Sequence, residues 1–326
     1  MPEKVKVGIV IPSYRVREKI LSVLNEIDET ADHIYVVDDK CPEYSGAYVE
    51  ENATDPRIKV IYNEENLGVG GAVKAGYREA LEDHCEIVVK VDGDGQMSPR
   101  LISGLIEPII NKEADYVKGN RFYNLNDVKA MPGLRLFGNS VLSLINKLVT
   151  GYWNIVDPTN GFTAIHSHAL RLLPLEKISN RYFFESDMLF RLSTIRGVVR
   201  DFPMRAVYAD ENSSLKIQKI VFQFLFRYFI CFHKRIFYLY FLRDFNAGTV
   251  QLMLGFFLSV FGFLFGAVNW YYSVSQGLPA TSGTVMLASL PLILGVQFLI
   301  SALNFDLQNM PRYPIQKNLS NYDSFS

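Results

Sequence analysis

Two aspartates separated by one glycine, Asp92 and Asp94, carry the chemistry most open to reading in this sequence. They close the run Ile87-Val88-Val89-Lys90-Val91, whose β-branched residues predict a buried strand. Asp and Gly are poor strand formers, so the strand stops there and a turn begins. Two carboxylates are thus delivered to the carboxyl end of a strand, where open α/β sheets bind their ligands. Carboxylate oxygens suit hard cations, and Mg²⁺ sites usually combine one or two carboxylates with substrate phosphates. The pattern points to a metal–diphosphate site. A solvated Asp/Gly turn is the plainer alternative, and the spacing alone does not separate the two.

The elements around this stretch decide what it can do. Residues 5–12 read as a first buried strand closed by Pro12, with Ser13 opening a helix to about Glu29. Residues 33–38 predict a second strand ending at Asp38 and Asp39, and residues 57–62 a third ending at Asn63. A Gly-opened helix over residues 68–81 leads into the DxD strand. This alternation predicts a parallel, doubly wound sheet. Parallel strands put their carboxyl ends on one rim, so Asp38, Asp39, Asn63, Asp92 and Asp94 converge there. That convergence favours a nucleotide pocket. Further strands are expected at residues 115–120 and 198–208, a loop at 122–133 and a helix at 134–149. Residues 155–165 should join a Pro/Asn/Gly turn to a short strand, and Glu185 and Asp187 sit inside the apolar run 181–191.

Composition narrows the classes. A net charge of -1 argues against bulk nucleic-acid binding. Cys41, Cys85 and Cys231 lie far apart, form neither a metal spacing nor a disulfide framework, and fit a reducing compartment. The first residues run through Glu3 and Lys4 straight into the first strand, without a signal-peptide pattern.

Past residue 215 the composition changes. Ile217, Ile220, Phe224 and Tyr228 fall at helical steps, while Lys216, Lys219, Gln223 and Arg227 recur on another face. An amphipathic helix with a basic side is expected, suited to an anionic membrane surface. Residues 250–272 and 284–303 hold no charge, and each is long enough to cross a bilayer. Lys234, Arg235 and Arg243 precede the first span, and Arg312 and Lys317 follow the second. The positive-inside rule places both flanks in the cytoplasm. The organisation expected is a catalytic domain over 1–215, an amphipathic segment over 216–245, a transmembrane hairpin over 246–305 and a cytoplasmic tail over 306–326.

In sum of motifs, the chain resembles family 2 glycosyltransferases of GT-A fold, specifically polyprenyl-phosphate glycosyltransferases of the dolichol-phosphate-mannose-synthase type. The likeness covers residues 4–215 by motif and the two-span tail by architecture. Ile9-Val10-Ile11-Pro12-Ser13-Tyr14 matches the family's first strand, and Val36-Val37-Asp38-Asp39 its base site. Asn66-Leu67-Gly68 with Gly70-Gly71 matches the segment after the third strand. Asp92-Gly93-Asp94-Gly95-Gln96 with Pro99 matches the D-x-D-x-Q…P stretch. Gly119-Asn120-Arg121 stands where the family has G-S-R, with Asn for Ser. Asp157 to Phe162 resembles the acceptor-side acidic motif, with Asn160 for Ser, and Glu185 matches a later acidic position. Ser213-Ser214-Leu215-Lys216 resembles the S-K-L segment before the membrane part.

The resemblance implies a GT-A, mostly parallel sheet domain and an inverting transfer of one sugar from a nucleotide-sugar to an undecaprenyl or dolichyl phosphate. It implies that Pro12, Tyr14, Asp38, Asp39, Asn66, Gly68, Asp92, Asp94, Gln96 and Arg121 hold the donor. Asp94, with Asp92, would bind Mg²⁺ or Mn²⁺, and Asp157 and Glu185 would serve the acceptor side as catalytic residues. UDP-glucose is the donor favoured, with GDP-mannose open. The bilayer is a further partner, nucleic acid is not, and self-association is left open. Three other classes compete. A processive polysaccharide synthase would carry Q-x-x-R-W, but the nearest stretch, Gln223 to Arg227 followed by Tyr228, has one residue too many and no Trp. A sugar nucleotidyltransferase needs no membrane tail, and a non-enzymatic membrane adaptor needs no acidic rim.

Overall fold

The computed structural model describes residues 5–124, 133–205 and 217–317. The chain divides into two compact units, Met1–Phe232 with Pro311–Ser326, and His233–Met310.

The first unit is built on seven strands: β1 (Val7–Ser13), β2 (His33–Asp38), β3 (Ile58–Tyr62), β4 (Ile87–Lys90), β5 (Tyr116–Asn120), β6 (Thr163–His166) and β7 (Val199–Pro203). Their order is β3-β2-β1-β4-β6-β5-β7. Ser13 pairs with Asp38 and Asp38 with Tyr62, so the carboxyl ends of β1, β2 and β3 are level. The apolar runs read as strands because both faces are covered. Ile9, Ile11 and Val36 pack to one side of the sheet, and Val10, Tyr35 and Val37 to the other.

The sheet is mostly parallel, as expected; the exception is β6, which runs antiparallel to both β4 and β5. Its direction follows from the preceding turn. Residues 157–162 already lie at the carboxyl rim, since Phe162 accepts from Gly119 N at the end of β5 (2.8 Å). A strand leaving that rim can only run back down the sheet. The reversal brings the acidic turn at Asp157 to the same edge as Asp92 and Asp94.

Five helices flank the front of the chain: α1 (Arg17–Asn25), α2 (Ser45–Asn52), α3 (Val69–Glu82), α4 (Ile102–Ile110) and α5 (Gly133–Thr150). Residues 14–16 precede α1 as a turn, so Ser13 does not cap it; the N-cap position is Val16. Helix α2 had no apolar period to announce it. Helix α3 lies close over the sheet because Gly76 faces Val10, where an added Cβ would meet Val10 Cγ2 at 2.9 Å. Then come α6 (Ser167–Leu172), α7 (Phe184–Ile195) and α8 (Ile217–Ile236). The Ser213 to Lys216 segment and the expected strand beyond residue 205 lie outside the described residues.

On α8, Tyr228 is buried and donates or accepts a 2.6 Å bond with Ser186 on α7, while Phe224 and Tyr228 pack edge-on against Phe183. Leu225, Phe226 and Phe229 stay exposed. The helix therefore clamps to the rest of the first unit along one line and shows aromatic surface on another.

The second unit is a helical hairpin of α9 (Ala247–Gln276) and α10 (Ser282–Gln308). Each helix is long and apolar enough to cross a membrane. Asn246 and Thr249 form a reciprocal capping box at the start of α9, and Thr281 caps α10. Gly255 and Gly262 let the backbones approach, since a Cβ there would lie 2.9 Å from Leu299 N and 2.7 Å from Leu292 N. Asp306 pairs with buried Arg235 and accepts from Tyr240 Oη at 2.7 Å.

Candidate active site

The carboxyl rim of β1 to β4 opens into a cleft of about 460 Å³. Of the residues assigned to a nucleotide-sugar, Pro12, Tyr14, Asp39, Asn66, Gly68, Asp92 and Asp94 line it. Ser13, Val16, Val69, Ala72, Gly93, Arg181 and Tyr182 complete the wall. Asp38, Gln96 and Arg121 are not on it.

The side of the rim at β2 and the loop into α3 is shaped by backbone amides. Asp39, buried at the end of β2, takes Leu67 N at 2.9 Å on Oδ1 and Gly68 N at 2.7 Å on Oδ2. Asn63 Nδ2 donates to the same Oδ1 at 2.8 Å. One carboxylate thus ties the end of β2 to the loop entering α3. Gly68 makes that loop with φ +85°, where a side chain would be strained and its Cβ would meet Asn180 O at 2.8 Å. Asp38 turns the other way and accepts from Cys41 N at 2.6 Å and Gly46 N at 2.7 Å, fixing the loop into α2. Asp94 Oδ1 accepts from Gln96 N at 2.9 Å, an Asx turn that sets the carboxylate on the rim. Ser13 Oγ is buried with no partner among the described residues, and it lies in the cleft wall.

The side of the rim at β4, β5 and the acidic turn is shaped by side-chain charge. Asp157 is fully buried. Arg121 grips it with a two-point fork, Nε to Oδ2 at 2.7 Å and Nη2 to Oδ1 at 3.0 Å. Lys90, buried at the end of β4, stands 2.7 Å from Asp92 Oδ1 and 3.3 Å from Glu185 Oε1. Glu185 reaches it from the first turn of α7. Burial pushes the Lys90 ammonium down, but Asp92 and Glu185 outweigh that and raise it above the lysine range. Lys118 on β5 is also buried and donates to the Asn160 carbonyl. Burial brings its ammonium down to about 8, against the pull of Glu185 and Asp157. Asp201 on β7 is raised by burial to about 6, while Val156 N and Asn120 Nδ2 hold its Oδ2 at 3.0 and 2.9 Å.

Both departures from the expected motifs now have partners. Asn120 reaches Asp201 and accepts from Phe122 N at 2.9 Å. Asn160 accepts from Phe162 N at 2.9 Å and so closes the acidic turn.

Sequence reasoning missed Lys90, Lys118, Ser13, Arg181 and Tyr182 as members of this region. A signal for the two lysines was present: each is a single charge at the end of an apolar run that reads as buried strand. Such a charge must find a partner.

Among the described residues no three His, Cys, Asp or Glu side chains cluster as a ready metal cage. Asp92 and Asp94 nevertheless set two oxygen-donor groups on one wall of the cleft. That donor set fits Mg²⁺ or Mn²⁺ with its remaining positions filled by substrate phosphates and water.

Comparison with known proteins agrees with this geometry. Residues 8–173 match the model of Glycosyl transferase family 2. A UDP-N-acetylglucosamine–dolichyl-phosphate N-acetylglucosaminyltransferase of Methanococcus voltae is 30% identical over 62% of this chain and 86% of its own. An undecaprenyl-phosphate mannosyltransferase of Micrococcus luteus is 28% identical over 64% of this chain and 86% of its own. Among solved structures, glucosyl-3-phosphoglycerate synthase of Mycobacterium tuberculosis with UDP superposes with a TM-score of 0.54 at 16% identity, covering 70% of this chain and 80% of that one. That likeness is one of fold, a GT-A-like α/β domain; the same synthase has also been solved with Mn²⁺.

Proposed function

Since the chain belongs to glycosyl transferase family 2 and is a glycosyltransferase, we infer that it moves one sugar from a nucleotide-sugar to a polyprenyl phosphate at a membrane. The observation that carries this reading is the junction of two differently built sides at one rim. Asp39, Asn66, Gly68 and the DxD turn form a cleft for a nucleotide diphosphate. Beside it, the turn from Asp157 to Phe162 and the start of α7 bring paired charge to the same edge.

In the reaction proposed, an acceptor phosphate oxygen attacks the anomeric carbon as the bond from that carbon to the β-phosphate oxygen breaks. The electron pair leaves with the nucleoside diphosphate, and the direct displacement inverts the centre. A Mg²⁺ or Mn²⁺ ion held chiefly by Asp94, with Asp92 beside it, would offset the charge developing on that leaving group. The acceptor needs no strong base. By analogy with phosphorylated side chains a phosphate monoester has a second pKa of about 6, so most of it is dianionic near neutrality. Asp157, held by Arg121, orients the cation beside it. Arg121 is placed to shift toward an incoming phosphate, since its fork fits phosphate as well as carboxylate.

The lipid nature of the acceptor is supported by apolar surface. On α5, Phe137, Val141, Leu144 and Leu148 are exposed at steps of three and four, a stripe that suits acyl chains. The hairpin supplies an anchor. Its two ends belong on one side of the membrane, because the chain before His233 and the chain after Met310 join one compact unit. Within that unit Ile315 N and Gln316 N donate to buried Asp115 at 3.0 and 3.3 Å. With the basic flanks, this supports a cytoplasmic face for the catalytic domain. Impermeant thiol labelling of a single cysteine at Ser275, and not at Tyr313, in intact cells is the expected pattern; the converse would reverse the orientation.

The donor is proposed as UDP-glucose, with UDP-N-acetylglucosamine and GDP-mannose as the other members of the test panel. Purified protein would be given each labelled donor, Mg²⁺ and a short polyprenyl phosphate. A chloroform-soluble product from one donor, lost in EDTA, supports the reading. Label incorporated into an aqueous polymer would favour a processive synthase.

A further inference from the structure

Lys90 is one cation serving two carboxylates on opposite sides of the site. Its ammonium stands 2.7 Å from Asp92 and 3.3 Å from Glu185. Only 1% of its side chain is exposed, so bulk solvent screens that charge little. The arrangement depends on Gly161 in the acidic turn. A Cβ at Gly161 would fall against Lys90 Nζ and 2.5 Å from Asp92 Oδ2. The turn therefore leaves open the space in which Lys90 and Asp92 pair. No other cation makes a salt bridge to Asp92 among the described residues.

The geometry points to Lys90 as a positioning residue that holds Asp92 back from the cation and so makes metal binding depend on the nucleotide diphosphate. A carboxylate bound to a buried ammonium offers a second cation little net charge. A divalent ion then gains its affinity from the diphosphate together with Asp94, and enters with the donor. Without Lys90 the two aspartates would form a dianionic pair able to take the ion alone. This rests on the reading of Asp92 and Asp94 as the metal side of the cleft.

Mn²⁺ binding can be followed by the loss of the free-ion electron paramagnetic resonance signal, with no turnover involved. For the full chain in detergent, UDP is expected to tighten Mn²⁺ binding by about tenfold or more, the scale set by a nearby unit charge at a partly screened site. Lys90→Met should tighten Mn²⁺ binding in the absence of UDP by about tenfold and shrink the UDP effect to the same extent. Gly161→Ala tests the idea without removing a charge, because its methyl group wedges Lys90 from Asp92; it should shift Mn²⁺ affinity in the same direction. Equal Mn²⁺ affinity with and without UDP in the wild type overturns the inference whether or not either variant folds. So does unchanged Mn²⁺ affinity in a folded Lys90→Met protein. Absence of Mn²⁺ binding under both conditions would instead remove the metal reading itself, and persistence of binding in Asp94→Asn would place the ion elsewhere.

Discussion

The two sides of the rim hold their carboxylates by different means. On the donor side, Asp38, Asp39 and Asp94 accept from backbone amides of nearby loops. Across the rim, Asp157 is held by Arg121 and Glu185 by Lys90, which also reaches Asp92 in the cleft wall. Amide-held carboxylates keep their negative charge and present it to a fixed point. Cation-held carboxylates are neutralised, and of their partners Lys90 is buried while Arg121 is part-exposed and open to an anionic substrate. A rigid, negative donor cleft suits a metal-bound diphosphate. On the function proposed, the other side admits an acceptor phosphate without facing it with the bare carboxylates of Asp157 and Glu185.

The largest effect should come from Asp94→Asn, which removes charge where the leaving group develops it. Activity should fall by at least about 10²-fold, within the range seen when transition-state charge loses its partner. The fold should survive, since Asn keeps an oxygen for Gln96 N. Initial rates and a thermal melt check both halves of this statement; near-normal turnover would break the donor side of the comparison.

Next is Arg121→Ala. It strands Asp157, which is fully buried. Leaving a buried charge without its cation costs about 3–5 kcal/mol, so the melting temperature should drop by many degrees. Adding Asp157→Asn to that variant should return part of the loss. If the double variant is no more stable than Arg121→Ala, the pair does not hold this side together.

Asp157→Asn alone should impair turnover less than Asp94→Asn. A true general base is worth roughly 10²–10⁴-fold and its loss is relieved in alkali. Here the acceptor is ionised throughout, so the pH–rate profile between about 7 and 9 should keep the wild-type shape. Steep alkaline recovery would assign Asp157 the proton.

Legibility divided along the same line. Strands β1 to β4, the Gly-opened helix and the acidic rim were readable because each signal is local: an apolar run closed by a turn former, Pro12, Asp38, Asn63 or Asp92. Asp39 and Gly68 lie 29 residues apart in the chain, yet each announced itself by its own turn chemistry. The antiparallel course of β6 was not readable, because four residues, Thr163–His166, carry no direction in their pattern. Lys90 with Glu185 spans 95 residues, and nothing at either end names the other. Helix α2 was missed because its sequence, Ser45–Asn52, lacks a strong apolar face and is fixed instead by Asp38 accepting from Gly46 N.

The smallest effect concerns Asp201, whose folded carboxyl sits at about 6 against an ordinary 3.8. Between those values the folded protein binds more protons than the unfolded chain, so Asp201 lowers stability as pH rises through that window. Asp201→Asn cannot ionise and keeps an oxygen for Val156 N. Relative to wild type it should gain about 1–2 kcal/mol between pH 4 and 7, read as a flatter melting temperature against pH. A parallel profile would show that Asp201 is already paired as an ion.

The central claim is that the nucleophile is a lipid phosphate and that one sugar is moved per acceptor. The most direct measurement is the mass of the lipid product formed by the purified full chain from the active donor, with a polyprenyl phosphate and, separately, with the free polyprenol of equal length. The account predicts the mass of the phosphate plus a single sugar, no higher additions on long incubation, and no product from the alcohol. Equal transfer to the alcohol, or a ladder of added sugars, would contradict it.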